Sequence, residues 1–257
     1  MKKFFTIAMM LMVSVVCADE LRLLSYNIKH AKGMDGKLDV ERIAKVIAEQ
    51  TPDLVALQEV DKDCKRSKNI DIAGKLGEIL KMEHRFGKTI DLGKGEYGLA
   101  VLSRFPVKKT HIHKLSKGKE PRIALEIIVD KKGELISFVT LHLDWTNKKI
   151  RTDQVKEVMK VLAERKHKVV LAGDFNAPRN SDTIQELVKA GWNVLEKNDG
   201  NGVRTFHGEK DRAVSATAER EEIDFIVLKN FPKSNIKHGV VQELIASDHR
   251  PIYAIIK

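Results

Sequence analysis

A chain of 257 residues with 42% hydrophobic content can bury a full core, which favours one large α/β domain over two small ones. Two cysteines, one of them in the first 18 residues, leave no intrachain disulfide to staple an exported fold, so stability has to come from core burial. The formal charge of +10 favours anionic partners, but the lysines are spread through segments such as Lys114 to Lys119 and Lys148 to Arg151 with few aromatics beside them. Solvated lysines that aid solubility therefore explain the charge as well as a nucleic-acid track does.

The chain opens with Met1-Lys2-Lys3 and an apolar stretch from Phe4 to Val16, too short and too early for a membrane span. It reads as a secretory signal peptide. Val16-Cys17-Ala18 supplies the small residues of a cleavage site before Asp19. Residues 19–257 are then expected to form a single domain, and loss of Lys2 and Lys3 lowers the charge of +10 by two, to +8. Cys17 also raises the alternative of a lipoprotein, but Val16 is a poor residue before a lipidated cysteine, so soluble export is preferred. The exported chain is expected to be a monomer with no stable protein partner.

No internal repeat or low-complexity linker divides the remainder, which alternates strands and helices. Leu21 to Ile28 is predicted as a strand. Asp39 to Gln50 is predicted as a helix that places Val40, Ile43, Ala44 and Ile47 on one face before Pro52 stops it. Asp53 to Val60 is the next strand, Ile70 to Met82 has helical spacing, and Tyr97 to Ser103 is an apolar strand closed by Arg104-Phe105-Pro106. Arg122 to Asp130 and Glu134 to Leu141 flank Lys131-Lys132-Gly133 and read as a hairpin. A helix from Lys148 to Glu164 leads into a strand at Val169, and a further helix covers Asp182 to Ala190. The last strands are Ile223 to Leu228, Ile236 to Val241 and Pro251 to Ile256. Hairpins mixed with helices argue against an all-parallel doubly wound sheet. Two mixed sheets stacked face to face, with helices outside, accommodate this order.

The polar residues fall at the ends of these strands. Ala172-Gly173-Asp174-Phe175-Asn176-Ala177 follows the apolar run Val169-Val170-Leu171, and on a strand of period two Asp174 and Asn176 share a face. Asn27 ends the first strand, Glu59 ends the second, His142 and Asp144 follow Thr140-Leu141, Asp224 begins another, and Asp248-His249 precedes the last. So many ionisable groups cannot each be buried alone, because an unpaired buried charge shifts its pKa or destabilises the fold. A shared site explains them together.

These residues resemble the endonuclease/exonuclease/phosphatase superfamily, which has the pancreatic deoxyribonuclease-like fold. The matching strings are Ser25-Tyr26-Asn27-Ile28, Leu57-Gln58-Glu59-Val60, Leu102-Ser103-Arg104-Phe105-Pro106 and Thr140-Leu141-His142-Leu143-Asp144. Gly173-Asp174-Phe175-Asn176, Ile223-Asp224-Phe225-Ile226 and Ser247-Asp248-His249-Arg250-Pro251 complete the series. They keep the family's order over nearly all of the mature chain. The resemblance implies a four-layer α/β sandwich of two mixed, mainly antiparallel sheets flanked by helices, with the active site at one end of the paired sheets.

It also implies a hydrolase of phosphoric esters in which water attacks phosphorus directly, with no covalent intermediate. A phosphodiester repels an incoming nucleophile, so a divalent cation and fixed donors must neutralise the developing charge. Glu59 is the expected ligand of Mg2+, with Mn2+ or Ca2+ as alternatives, helped by the Asn27 amide and Asp248. Asp174 is similar to the aspartate that orients or deprotonates the water, and Asn176 to the residue that holds the phosphate or nucleophile in line. Asp224 bonded to His249 fixes the tautomer and favours the charged ring, so that His249 can stabilise phosphoryl oxygens. His142 is similar to the histidine that donates to a phosphate oxygen or assists proton transfer. The division of acid and base work among Asp174, His142 and His249 stays open.

Arg66 and Arg122 match places where relatives carry phosphate-facing arginines, and Asp144 either shares the face of His142 or orders a neighbouring loop. Tyr97 and Thr205 either line the pocket or serve as packing or turn residues, the second reading being preferred. Trp145 and Trp192 read as core anchors. His30, His84, His111, His113, His167, His207 and His238 lack metal-site spacing. His111-x-His113 places two imidazoles on one strand face without a third ligand, so no zinc site is assigned. The phosphorylated substrate is left among nucleic acid, a lipid head group and a small phosphoester. A binding protein that keeps the scaffold without catalysis is the remaining alternative, disfavoured because Glu59, Asp174, Asn176, Asp224 and His249 are all present.

Overall fold

The computed structural model describes residues 20–208, 222–232 and 235–257; the predicted signal peptide lies outside them. Chain order begins with β1 (Leu21–Asn27), α1 (Val40–Glu49), β2 (Leu54–Lys62), α2 (Ile72–Leu80), β3 (Glu83–Leu92) and β4 (Gly95–Ser103). It continues with β5 (Val107–Leu115), β6 (Arg122–Lys131), β7 (Glu134–His142), α3 (Lys148–Leu162), β8 (Lys168–Asp174) and α4 (Asp182–Lys189). The last strands are β9 (Asn193–Val194), β10 (Asp224–Lys229), β11 (Ile236–Val240) and β12 (Ile252–Ile256). Each helix starts where a side chain takes up orphan amides: Asp39, Asp71, Asn147 and Ser181 accept from N–H groups of the first turn.

One sheet has the order β11-β12-β1-β2-β4-β3 and the other β5-β6-β7-β8-β10-β9. Each is antiparallel except for one central parallel pair, β1 with β2 and β7 with β8. A parallel pair needs a long crossover, and α1 and α3 supply the two. Leu23, Leu54, Leu125, Phe138, Val170 and Ile226 pack between the sheets. On the outer faces, Ile43, Ile47 and Leu76 pack with Leu24 and Leu57, and Val155, Leu162 and Leu187 with Val139 and Leu171. The result is the expected four-layer sandwich.

Three strands carry no clear signal in the sequence: β3, β5 and β9. All three are edge strands, and β3 and β5 are rich in basic residues and histidine. Charged edge residues resist pairing with a second chain, and the same residues erase the alternation by which a strand is recognised. The β2 strand also runs past its predicted end. A register shift between Leu57 and Val60 leaves Glu59 in a left-handed conformation, at φ 56°, and pairing resumes to Lys62. Such a bulge re-aims a side chain, here a carboxylate, and a left-handed non-glycine residue costs on the order of 1 kcal/mol.

This topology brings functional ends together. The carboxyl ends of both parallel pairs carry Asn27, Glu59, His142 and Asp174, and the antiparallel neighbour β10 starts at the same end with Asp224. Beneath them, the Gln58 amide donates to Ser25 and, at 2.8 Å, to the Thr140 hydroxyl, linking the two sheets. Gly173 precedes Asp174 at φ 152°, and a Cβ there would collide with the Leu141 carbonyl. Gly173→Ala should therefore destabilise the fold by about 3 kcal/mol, measured as the midpoint shift in urea unfolding. A variant as stable as the parent would show that β7 and β8 can separate freely at this point.

Candidate active site

Asp174 ends β8 and is paired across the sheet with Asp224 on one side and His142 on the other. Beyond it the chain leaves the strand through a left-handed turn at Asn176, φ 50°, whose backbone N–H donates to Asp174 Oδ1 at 2.8 Å. The two side chains thus reach the same cleft through a turn, without the simple strand alternation expected for them. Asn176 Nδ2 donates to the Leu143 carbonyl at 3.0 Å, which sets its orientation.

The other groups converge on Asp174 from both sheets. Asn27 Nδ2 lies 3.1 Å from Glu59 Oε1, 3.2 Å from Asp174 Oδ2 and 3.5 Å from His249 Nε2. His142 Nε2 is 3.5 Å and His249 Nε2 3.7 Å from the same Asp174 oxygen. His249 Nδ1 faces Asp224 Oδ2 at 2.9 Å. The loop before β12 is tied to β1 by Ser247, whose hydroxyl donates to the Asn27 carbonyl at 2.7 Å. Buried Thr205 accepts from the N–H groups of Ile223 and Asp224, so it fixes the aspartate end of the pair. All of these groups except half-buried Glu59 are buried.

Burial and charge separate the protonation behaviour of neighbours. Burial, then repulsion from Asp224, pushes the Asp174 carboxyl up to about 7. Burial also raises Glu59. Burial pulls against a charged His249, but Asp224, with Asp174 and Asp248, outweighs it and lifts the imidazole to about 10. Burial, with the positive charges of Arg122 and His249, holds His142 well below the usual histidine range. The site therefore contains a neutral imidazole, an imidazolium and a carboxyl that exchanges its proton near neutrality.

A cleft of about 360 Å3 opens onto this cluster, lined by Glu59, Arg122, His142, Asp174, Asn176, Asp248 and His249 together with Tyr97, Glu120, Trp145, Phe206 and Ile223. Arg122 is buried, meets the Glu120 carboxylate at 3.3 Å, and keeps its buried Nε without a hydrogen-bond partner among the described residues. Asp248 faces the cleft with its carboxylate 3.1 Å from Lys29 Nζ.

Two residues expected to bind substrate are committed elsewhere. Arg66 makes a bidentate pair with buried Asp61, at 2.8 and 2.7 Å, and lies over the Tyr97 ring at 5.5 Å. It does not line the cleft; it braces a residue that does. The Asp144 carboxylate accepts from the N–H groups of Thr146, Asn147 and Lys119 and from the Thr146 hydroxyl, so it orders two loops and does not face substrate. Trp192 is buried as expected, whereas Trp145, 53% exposed, stands at the rim and is no core anchor. His113 pairs with buried Glu126 at 2.8 Å, and His111 only stacks beside it. Sequence reasoning missed Glu120, Phe206 and Ile223 in the cleft. Their only signal was adjacency to Arg122, Thr205 and Asp224.

The donor set suits a hard divalent cation. Glu59, Asp174 and Asp224 are carboxylates gathered at one place, and His249, bonded to Asp224, balances only part of their charge. Asp174, Asp224 and His249 also bring one ligand atom each within 4.8 Å of one another. A protonated His249 offers no lone pair, however, so an ion fits better on the Glu59 side, among oxygen donors from Glu59, Asn27 and Asp248.

A four-layer sandwich with polar side chains gathered at the carboxyl ends of two parallel strand pairs defines a known class of phosphoester-cleaving scaffolds. The family model described as Endonuclease/Exonuclease/phosphatase family matches residues 24–249, and the chain belongs to that family. Its members are hydrolases of phosphoester bonds and typically depend on a metal. Among solved structures, an endonuclease/exonuclease/phosphatase from Beutenbergia cavernae is 23% identical with a TM-score of 0.77, covering 93% of this chain and 71% of that one. A functionally unknown conserved protein from Enterococcus faecalis is 20% identical with a TM-score of 0.74, covering 92% and 99%. A mannosyl-6-phosphatase from Bacteroides thetaiotaomicron is 20% identical with a TM-score of 0.70, also covering 92% and 99%. No curated protein matches the chain.

Proposed function

We propose that this protein is an exported, Mg2+-dependent hydrolase of small phosphoric esters in which water attacks phosphorus directly. The observation that carries this reading is the cleft of about 360 Å3 whose floor joins Asp174, the His249–Asp224 pair, Glu59 and the buried Arg122 guanidinium. An anion that enters meets Arg122 and a protonated His249, and a nucleophile beside it meets Asp174. Mg2+ bound by Glu59, Asn27 and Asp248 would supply charge neutralisation at the phosphoryl oxygens.

Arg122 attracts the phosphate through the charge of its buried guanidinium at the cleft wall, one nitrogen of which is already held by Glu120. Asp174 orients the attacking water and accepts its proton, a role suited to a carboxyl that titrates near neutrality. Asn176, beside it in the turn, keeps nucleophile and phosphorus in line. His249 donates its Nε2 proton to a phosphoryl oxygen while Asp224 holds Nδ1 and sustains the charge. Neutral His142 contributes a second contact to the phosphate.

The size of the cleft and its rim favour a small ester over a duplex. A polynucleotide would lay further phosphates past the Glu120 carboxylate, which repels them, and past the Trp145 indole, where Lys119 supplies a single compensating cation. The similarity to a mannosyl-6-phosphatase supports the same preference. Export rests on the leader-like first 18 residues, and fractionation of expressing cells tests it. The activity is tested with aryl phosphate mono- and diesters. EDTA should lower turnover by at least about a thousandfold and Mg2+ should restore it. Full turnover in excess EDTA would overturn the metal dependence.

A further inference from the structure

A tryptophan is one of the costliest side chains to leave in water, and in this protein one stands at the mouth of the cleft. Trp145 is 53% exposed and lines the same cavity as Asp174 and His249. It is not there for want of order. The Asp144 carboxylate accepts from the N–H groups on both sides, Thr146 and Asn147 on the tryptophan's own loop and Lys119 on the facing one. Gly118 lets the facing loop approach, since a Cβ there would collide with the Asp144 carboxylate. Lys119 Nζ then sits 4.6 Å from the Trp145 ring centroid, a cation–π contact that steadies the indole on one side. Aspartate, glycine and lysine together hold an apolar plane in solvent beside a site built for a charged phosphate.

Glu120 completes the rim. One of its oxygens faces Arg122 at 3.3 Å, and its side chain lines the cleft. A carboxylate oxygen at this place repels a second phosphate and accepts from hydroxyl donors. The cavity of about 360 Å3 holds a phosphate and one ring.

We propose that Trp145 and Glu120 form a specificity subsite for a hydroxylated ring, so that the natural substrate is a sugar bearing the phosphate. The C–H face of the sugar packs on the indole and its hydroxyls donate to Glu120, while the phosphate reaches Arg122 and His249. This inference rests on the phosphoric ester reading above and deepens it.

The test compares kcat/KM for a hexose 6-phosphate, a nucleoside 5′-monophosphate and ring-free glycerol 3-phosphate, with the Mg2+-loaded parent and the Trp145→Ala and Trp145→Phe variants. The parent should prefer the hexose ester to both others. In Trp145→Ala the hexose-to-glycerol ratio should fall about tenfold or more, mainly through KM, and Trp145→Phe should recover most of it. A ratio that falls less than threefold, or a parent that prefers the nucleotide, overturns the proposal. Binding is read separately in the Asp174→Asn protein, where acrylamide quenches exposed Trp145 but not buried Trp192. Hexose 6-phosphate should protect that fluorescence at least threefold better than glycerol 3-phosphate, and equal protection overturns the subsite. Failure of the parent to hydrolyse any of the esters, or aryl phosphates, sinks the underlying reading instead.

Discussion

Asp174→Asn should lower kcat by about a thousandfold or more while making the metal-free protein harder to unfold. The amide keeps the shape of the carboxylate but cannot accept a proton, and a positioned base contributes roughly 10²–10⁴ in rate. The stability effect has the opposite sign because Asp174 is buried close to Asp224, which pushes its carboxyl from 3.8 up to about 7. Between those values the folded protein holds a proton that the unfolded chain has released. Parent stability therefore falls as pH rises from about 4 to about 7, and the loss is complete above that window. The Asn variant lacks this slope. Urea unfolding in EDTA should show it gaining about 2 kcal/mol on the parent at pH 8 and much less at pH 4. A variant as active as the parent would end the catalytic assignment, and a stability difference that does not change with pH would show that the carboxyl titrates normally.

Asp224→Asn should cost both rate and stability, with the stability gap widest at low pH. In the parent, His249 is held charged up to about 10 against an ordinary value of 6.5, chiefly because Asp224 lies 2.9 Å from Nδ1 and offsets the penalty of burial. A raised histidine contributes stability that is full below 6.5 and lost as pH climbs through about 10. The amide still accepts the Nδ1 proton, so the tautomer survives, but the charge does not. Breaking a buried pair at one partner costs about 3 kcal/mol, so the variant should lose about that much at pH 6. The gap to the parent should close as pH approaches 10. Turnover should drop roughly 10²–10³-fold, because a neutral ring no longer stabilises the phosphoryl oxygens. An NMR titration of the His249 ring checks the cause directly: an unshifted pKa in Asp224→Asn would refute the pairing.

Much of this site can be read along the chain because strand ends repeat one pattern, an apolar run followed by a carboxylate, amide or imidazole. Asn27, Asp174, Asp224 and His249 stand at or just beyond the ends of strands close to the predicted ones, and the structure brings them within hydrogen-bond reach. The errors share one origin. Arg66 and Asp144 have the chemistry to bind substrate, but Asp61 takes the guanidinium and loop amides take the carboxylate. Asp61, Thr146 and Asn147 come from the local chain and Lys119 from a loop 25 residues away, all at positions that the fold alone brings into geometry. Trp145 misled for a related reason: a large aromatic is ordinarily buried, and nothing in the sequence around it says that its loop is held open.

The α/β class, the two mixed sheets flanked by helices, the four helices among the described residues and most of the strands in their order were read from the sequence on its own. Local propensity, hydrophobic period and strand-end chemistry are properties of short segments, so they survive without coordinates. Only the tertiary structure decided which groups lie close enough to shift each other's protonation, which arginine lines the cleft, and which aromatic faces the solvent. Those outcomes depend on desolvation and on partners far away in the chain, Asn27 beside Asp174 across 147 residues and beside His249 across 222, and such neighbours exist only once two sheets have closed on each other.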